Sequence, residues 1–308
     1  MNDRLTGLIA APFTPFDDSG DLALQRVPEY AHWLASNGVA GAFVAGTTGE
    51  GLSMTIDERK RLAEAWIAAA PDDFRIIVHV GHTCLRDCQE LASHAQRSGA
   101  RATGAMAPCF FRPASIGDLV DWCAAVAAAA PELPFYYYHI PSMTGVDLPM
   151  REFFAQARQR IPNLGGIKYT HENLDEFQRL LAATEGRHDV LFGRDQMLLA
   201  ALDAGATAAI GSTYNFAAPL YQQIIQARRQ AQRQRAMDLQ NNACRMIQAC
   251  QHAGAAELAA LKTVMELAGM PCGPVRPPLR PLNPEQRSRL QHALDAIGFA
   301  DWCCKHTS

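Results

Sequence analysis

Lysine is scarce in this 308-residue chain. Only Lys60, Lys168, Lys262 and Lys305 stand among its 28 basic residues, and the rest are arginine. Lys168 lies near the end of the run Leu164-Gly-Gly-Ile-Lys-Tyr169, where a barrel or sheet strand would bury it. Burial disfavours the charged form of an amine, and lysine, unlike arginine, can then release its proton. A neutral amine at a strand end attacks carbonyl carbon and forms a Schiff base. The alternative is a buried lysine paired to a carboxylate.

Other residues bear on that choice. Gly46-Thr47-Thr48-Gly49 can form a backbone nest for a carboxylate or phosphate, flanked by two hydroxyls. It can equally be a tight turn whose threonines cap their own backbone. Tyr138 ends a run of three tyrosines; in a strand it shares a face with Tyr136, and Tyr137 points the other way. Facing a barrel interior, its phenol could pass protons, although core aromatics also reach a rim with their hydroxyls. His139 is expected in a loop rather than as a base. Asp195 and Ser212 offer hydrogen bonds to a polyhydroxylated ligand, or cap the helices that follow them. His79, His82 and His94 lack metal-ligand spacing and are expected to be structural. An amine, an anion nest, a phenol and hydroxyl-binding groups are the parts of a class I aldolase or dehydratase. Its substrate would be a 2-oxo acid with the carboxylate at Thr47 and Thr48 and the carbonyl at Lys168. Tyr138 would take the C4 hydroxyl proton as the C3–C4 bond breaks.

These residues need a scaffold that brings strand ends together. Eight short β-rich runs recur, at 8–11, 41–45, 75–80, 102–107, 135–138, 165–168, 190–192 and 206–210. Each is followed by a stretch with helical period, near 24–37, 55–70, 84–98, 115–130, 149–160, 174–185, 195–204 and 216–231. Thr55-Ile-Asp-Glu58 reads as a capping box, and Pro71, Pro131 and Pro162 follow three of the helices. Eight such units predict an α/β fold, a (β/α)8 TIM barrel, over residues 1–231. An open doubly wound sheet is the alternative, but no Gly-x-Gly-x-x-Gly follows the first run. Residues 232–308 read as helices only, near 232–253, 255–269 and 284–298, forming a C-terminal helical region packed on the barrel. Chemistry in such barrels sits at the C-terminal strand ends. Gly46–Glu50, Tyr138–Pro141, Lys168–Thr170, Gly193–Gln196 and Gly211–Thr213 would all reach that mouth.

Composition excludes several functions. With net charge −3 no basic face offers itself to nucleic acid. No run approaches the ~18 apolar residues of a membrane helix, and the first residues lack a secretory core. The nine cysteines form no CxxC pair or Cys/His cluster, so neither zinc nor another metal is expected, and reduced thiols point to the cytoplasm.

Gly46-Thr-Thr-Gly-Glu50, Tyr138-His-Ile-Pro141 and Gly-Ile-Lys168 resemble the dihydrodipicolinate synthase/N-acetylneuraminate lyase superfamily, over essentially the whole chain. Gly46–Ser53, Phe135–Pro141 and Gly205–Asn215 are most similar to its lyase branch, the animal type in particular. The resemblance implies a Schiff base on Lys168, proton transfer by Tyr138 and a substrate carboxylate at Thr47 and Thr48. It implies that Thr170, Gly193, Asp195, Gln196 and Ser212 contact sugar hydroxyls. The implied reaction cleaves N-acetylneuraminate, or a close sialic acid, to N-acetylmannosamine and pyruvate. It implies a homotetramer, with no metal or diffusible cofactor. Alternatives are an aldolase or dehydratase for another 2-oxo-3-deoxy sugar acid, or a non-catalytic sugar-acid binding protein. Met143 stands where the synthases carry an arginine, and Pro108-Cys-Phe-Phe111 replaces their Pro-Tyr-Tyr. The lyases usually have Asp-Glu where this chain has Asp195-Gln196. An amide has one acceptor oxygen and two donors, so the hydroxyl preference there changes.

Overall fold

Each of the eight β-rich runs becomes a strand in the computed structural model, which describes residues 4–306. They are β1 (Gly7–Ala10), β2 (Gly41–Val44), β3 (Arg75–His79), β4 (Ala102–Met106), β5 (Phe135–His139), β6 (Leu164–Tyr169), β7 (Asp189–Phe192) and β8 (Ala208–Gly211). Neighbours pair in parallel and in chain order, and β1 closes on β8. The predicted TIM barrel is the observed fold, and the open sheet is not. Ile9, Phe43, Ile77, Met106, Tyr136, Tyr138, Leu191 and Ile210 fill its interior, as the alternation of strand side chains requires. Tyr137 faces outward into the layer between strands and helices.

The helices fall near their expected places: α1 (Val27–Ser36), α2 (Ile56–Ala69), α3 (Leu85–Arg97), α4 (Ile116–Ala127), α6 (Met150–Arg160), α7 (Leu174–Thr184), α8 (Leu198–Asp203) and α9 (Tyr214–Arg229). A single turn, α5 (Pro141–Thr144), is an addition. The predicted capping box at α2 is present: Glu58 N–H donates to Thr55 Oγ1 at 3.2 Å, and Thr55 N–H to Glu58 Oε2 at 2.8 Å. The helix expected from residue 195 opens as a 3₁₀ turn, Asp195–Met197, before α8.

α9 starts two residues earlier than expected and kinks at Ala217. Pro219 causes this, since a proline ring excludes the carbonyl four residues back from the helical ladder. That carbonyl, of Asn215, accepts instead from Trp33 Nε1 at 2.8 Å.

Beyond the barrel come α10 (Arg233–Gln251), α11 (Glu257–Leu267) and α12 (Pro284–Ala296). The chain then returns to its beginning. Phe299 packs edge-on against Phe216, Cys304 N–H donates to the Phe216 carbonyl at 2.7 Å, and Lys305 N–H donates to Asn37 at the end of α1.

Candidate active site

Tyr138 and Lys168 are register partners across β5 and β6, so both side chains point into the barrel. Lys168 is 3% exposed. Its Nζ sits 3.9 Å from the centroid of the Tyr138 ring and 4.1 Å from that of Phe43. Among the described residues no carboxylate pairs with it, which decides against the ion-paired alternative. Burial pulls the amine down to about 7, against a smaller upward pull from Asp195. A large share of Lys168 is therefore neutral at physiological pH.

Burial acts oppositely on a phenol. It raises Tyr138 to about 12, offset in part by the hydrogen bond with Thr47, whose Oγ1 lies 3.3 Å from the Tyr138 hydroxyl. Tyr138 is thus protonated at neutral pH. His79, at the end of β3, packs edge-on against Tyr138 at 5.8 Å between ring centroids, and its Nδ1 lies 3.0 Å from the Ala45 carbonyl. Burial, then the nearby Arg59 and Lys168 charges, keep His79 neutral.

The Gly46–Gly49 turn leaves β2 with its threonines at the mouth. Among the described residues the amides of Thr47 and Thr48 donate to no other protein group, which leaves them free for an anion. The turn itself is closed by Glu50 N–H to the Thr47 carbonyl and Gly51 N–H to the Gly46 carbonyl, each at 3.1 Å.

Across the mouth, Asp195 is 6% exposed. It does not cap its own helix. Its Oδ2 accepts from Thr213 N–H at 2.9 Å and Thr213 Oγ1 at 2.6 Å, and Thr213 Oγ1 shares a 2.7 Å hydrogen bond with Tyr221. Asp195 therefore serves the start of α9 from another strand end. Two glycines make room. A Cβ on Gly211 would lie 1.9 Å from Asp195 Oδ1, and one on Gly193 would lie 2.0 Å from Thr170 Oγ1. Among the described residues the Thr170 hydroxyl is buried with no hydrogen bond of full geometry, though it lies near enough to the Tyr138 phenol to help Thr47 lower it. Gln196, with its amide oxygen turned to Arg194, accepts from that guanidinium at 3.0 and 3.3 Å.

One cavity of about 170 Å³ is lined by all of the candidate residues: Lys168, Tyr138, Thr47, Thr48, Thr170, Gly193, Asp195, Gln196 and Ser212. A second lobe of about 570 Å³, which includes Met106, Cys109, Met143 and Leu258, shares Thr47, Thr48, Ser212, Glu257 and Leu261 with the first. Ile247, Gln251, Glu257 and Leu261 also line the polar lobe. They come from α10 and α11, and no local motif marks them. His139 departs from its expected loop. It ends β5, wholly buried on the outer face, and stacks on Tyr169. Burial lowers it to about 3, so it stands outside the site as a neutral ring. Among the described residues no group of three or more His, Cys, Asp or Glu could hold a metal ion, and no helix is long and apolar enough to cross a membrane.

Comparison with known proteins bears on the chain as a whole. The Dihydrodipicolinate synthetase family matches residues 4–297. An N-acetylneuraminate lyase of Rattus norvegicus is 37% identical over 300 residues, which is 96% of this chain and 93% of that protein. Among solved structures, the N-acetylneuraminate lyase of Proteus mirabilis superposes with a TM-score of 0.93 at 40% identity. It covers 96% of this chain and 100% of its own. The corresponding enzyme from Aliivibrio salmonicida, described as a sialic acid aldolase, gives 0.92 at 44% identity, with 96% and 98% covered.

Proposed function

The chain belongs to the dihydrodipicolinate synthetase family, and we propose that it is a class I pyruvate lyase cleaving N-acetylneuraminate to N-acetylmannosamine and pyruvate. The observation that carries this is the buried amine of Lys168. It is neutral enough to attack, it lies over two aromatic rings set edge to face, and it shares a cavity with a turn of free amides. The relatives' names favour sialic acid over another 2-oxo-3-deoxy sugar acid.

The chemistry we assign makes use of that geometry. The substrate carboxylate takes the Thr47 and Thr48 amides. Lys168 attacks C2, water leaves, and a protonated imine forms. The Tyr138 and Phe43 faces suit that cation as they suit an ammonium. Electrons of the C3–C4 bond then flow to the iminium nitrogen, giving an enamine, and C4 becomes an aldehyde as its hydroxyl proton leaves. Tyr138, already protonated, takes this proton as it passes its own, by way of Thr47, to the substrate carboxylate seated at that turn, which holds it until C3 of the enamine is protonated. Protonation at C3 and hydrolysis release pyruvate and regenerate Lys168. Thr170, Gly193, Asp195, Gln196 and Ser212 hold the sugar hydroxyls. No step calls for a metal or diffusible cofactor.

We place the enzyme in the cytoplasm, supported by nine unpaired thiols. We assign it a homotetramer, supported by Phe110, Phe111 and Met143, which lie 78%, 85% and 61% exposed on one chain. The decisive test is borohydride reduction with N-acetylneuraminate, and with pyruvate in parallel, followed by peptide mapping. An adduct on Lys168 from both, with pyruvate released from the sugar acid, is expected. An adduct from pyruvate alone would redirect the search to other sugar acids, and none from either would overturn the Schiff-base chemistry.

A further inference from the structure

The Thr47–Thr48 turn is entered and left through left-handed residues that carry side chains, Ala45 at φ +57° and Glu50 at φ +54°. Such conformations persist only where surrounding structure over-determines them. At Ala45 the constraint is His79. At Glu50 it is an ion pair from the far end of the chain. Glu50 Oε1 accepts from Lys262 Nζ at 2.9 Å, and Oε2 accepts from Arg276 N–H at 2.8 Å. Lys262 also donates to the Pro274 carbonyl at 2.7 Å and lies over the Phe16 ring at 4.5 Å. The Lys262 and Glu50 side chains are 3% and 2% exposed. Their positions are 212 residues apart in sequence.

A buried ion pair is a poor way to hold two elements together, because desolvation offsets the attraction; an apolar contact serves as well. What it does better is to fix where a carboxylate points, and here that carboxylate belongs to the residue two beyond Thr48. Lys262 follows Leu261, which lines the cavity. We propose that Lys262 is a positioning residue for substrate: through Glu50 it sets the orientation in which the Thr47 and Thr48 amides meet the substrate's carboxylate. This rests on the reading of that turn as the carboxylate's seat.

The test compares the full-length wild type with Lys262→Met and with Lys262→Met/Glu50→Gln. The double change removes the stranded charge yet keeps an acceptor for Arg276 N–H. The readouts are Tm and the pyruvate dependence of borohydride labelling. In Lys262→Met the half-saturating pyruvate concentration should rise about tenfold, with the limiting labelling rate within about twofold of wild type. The double variant should regain most of the lost Tm while its half-saturation stays raised. If Lys262→Met does not fold, the double variant carries the same comparison. A wild type that pyruvate never labels overturns both this inference and the lyase chemistry. A labelled wild type with unchanged half-saturation in the variants, or with a fall confined to the limiting rate, overturns this inference alone. So does a double variant in which Tm and half-saturation recover together.

Discussion

Lys168 is costly where it stands. Its amine loses the proton at about pH 7 in the folded chain, against an ordinary value of 10.5. Between those values the unfolded chain holds a proton that the folded chain does not, so stability rises with pH across the window. Lys168→Met should therefore have a higher Tm than wild type below pH 7. That advantage should shrink steadily toward pH 10.5, as thermal melts at stepped pH would show. The same titration governs chemistry, because only the neutral amine attacks. The rate of pyruvate labelling should climb as pH passes through about 7 and then level off, and a flat profile would contradict the neutral-amine mechanism. Lys168→Arg should give no adduct at any pH, since guanidinium keeps its proton. Tyr138→Phe separates binding from bond cleavage. It should lower sialic acid turnover about 10²-fold or more while leaving pyruvate labelling within a few-fold; equal losses in both would reduce Tyr138 to a packing residue.

At the scale of elements, the site depends on strand ends approaching more closely than side chains normally allow. Gly211 is the clearest case, with Asp195 Oδ1 where a Cβ would be. Gly211→Ala must push Asp195 off Thr213, at a cost of about 1–3 kcal/mol for overpacking. The expected result is a lower Tm and a raised KM for the sugar acid, with pyruvate labelling less affected, as parallel kinetics would establish. Strands and helices were legible because each β-rich run ends in Gly, Pro or a small polar residue and each helix keeps its period. Alternation put Tyr136 and Tyr138 on one face of β5 and Tyr137 on the other, and barrel closure decides that the first face is the interior. What sequence could not reveal is long-range: that Asp195 is anchored by Thr213, that Ala45 and Glu50 adopt left-handed backbone, or that Lys262 reaches Glu50. Propensity speaks about neighbours along the chain, whereas each of these depends on partners brought together by barrel closure. His139 was misplaced for a related reason. Its polar ring suggests a loop, but packing against Tyr169 and Tyr137 outweighs that preference.

For the whole molecule, the helices after the barrel are part of its integrity. They supply cavity walls, the Glu50 clamp and the Phe299–Cys304 return onto α9. A chain ending at residue 231 should expose the apolar faces that Phe299 and Trp302 cover, and should aggregate rather than give the circular dichroism of a folded barrel. The proposed homotetramer makes its own demand: light scattering should give four times 33.6 kDa, and Phe110→Glu/Phe111→Glu should lower that mass.

The scarcity of lysine has a practical side once burial is known. Lys168 and Lys262 are enclosed, and Lys60 is held by Glu90 on the flank of α2. Lys305 is exposed and sits beside Asn37, where α1 turns toward the start of β2. That is the end of the barrel opposite the mouth. A resin bearing amine-reactive groups would find few side-chain handles on this protein, and the one at Lys305 would immobilise it with its entrance turned toward the solution.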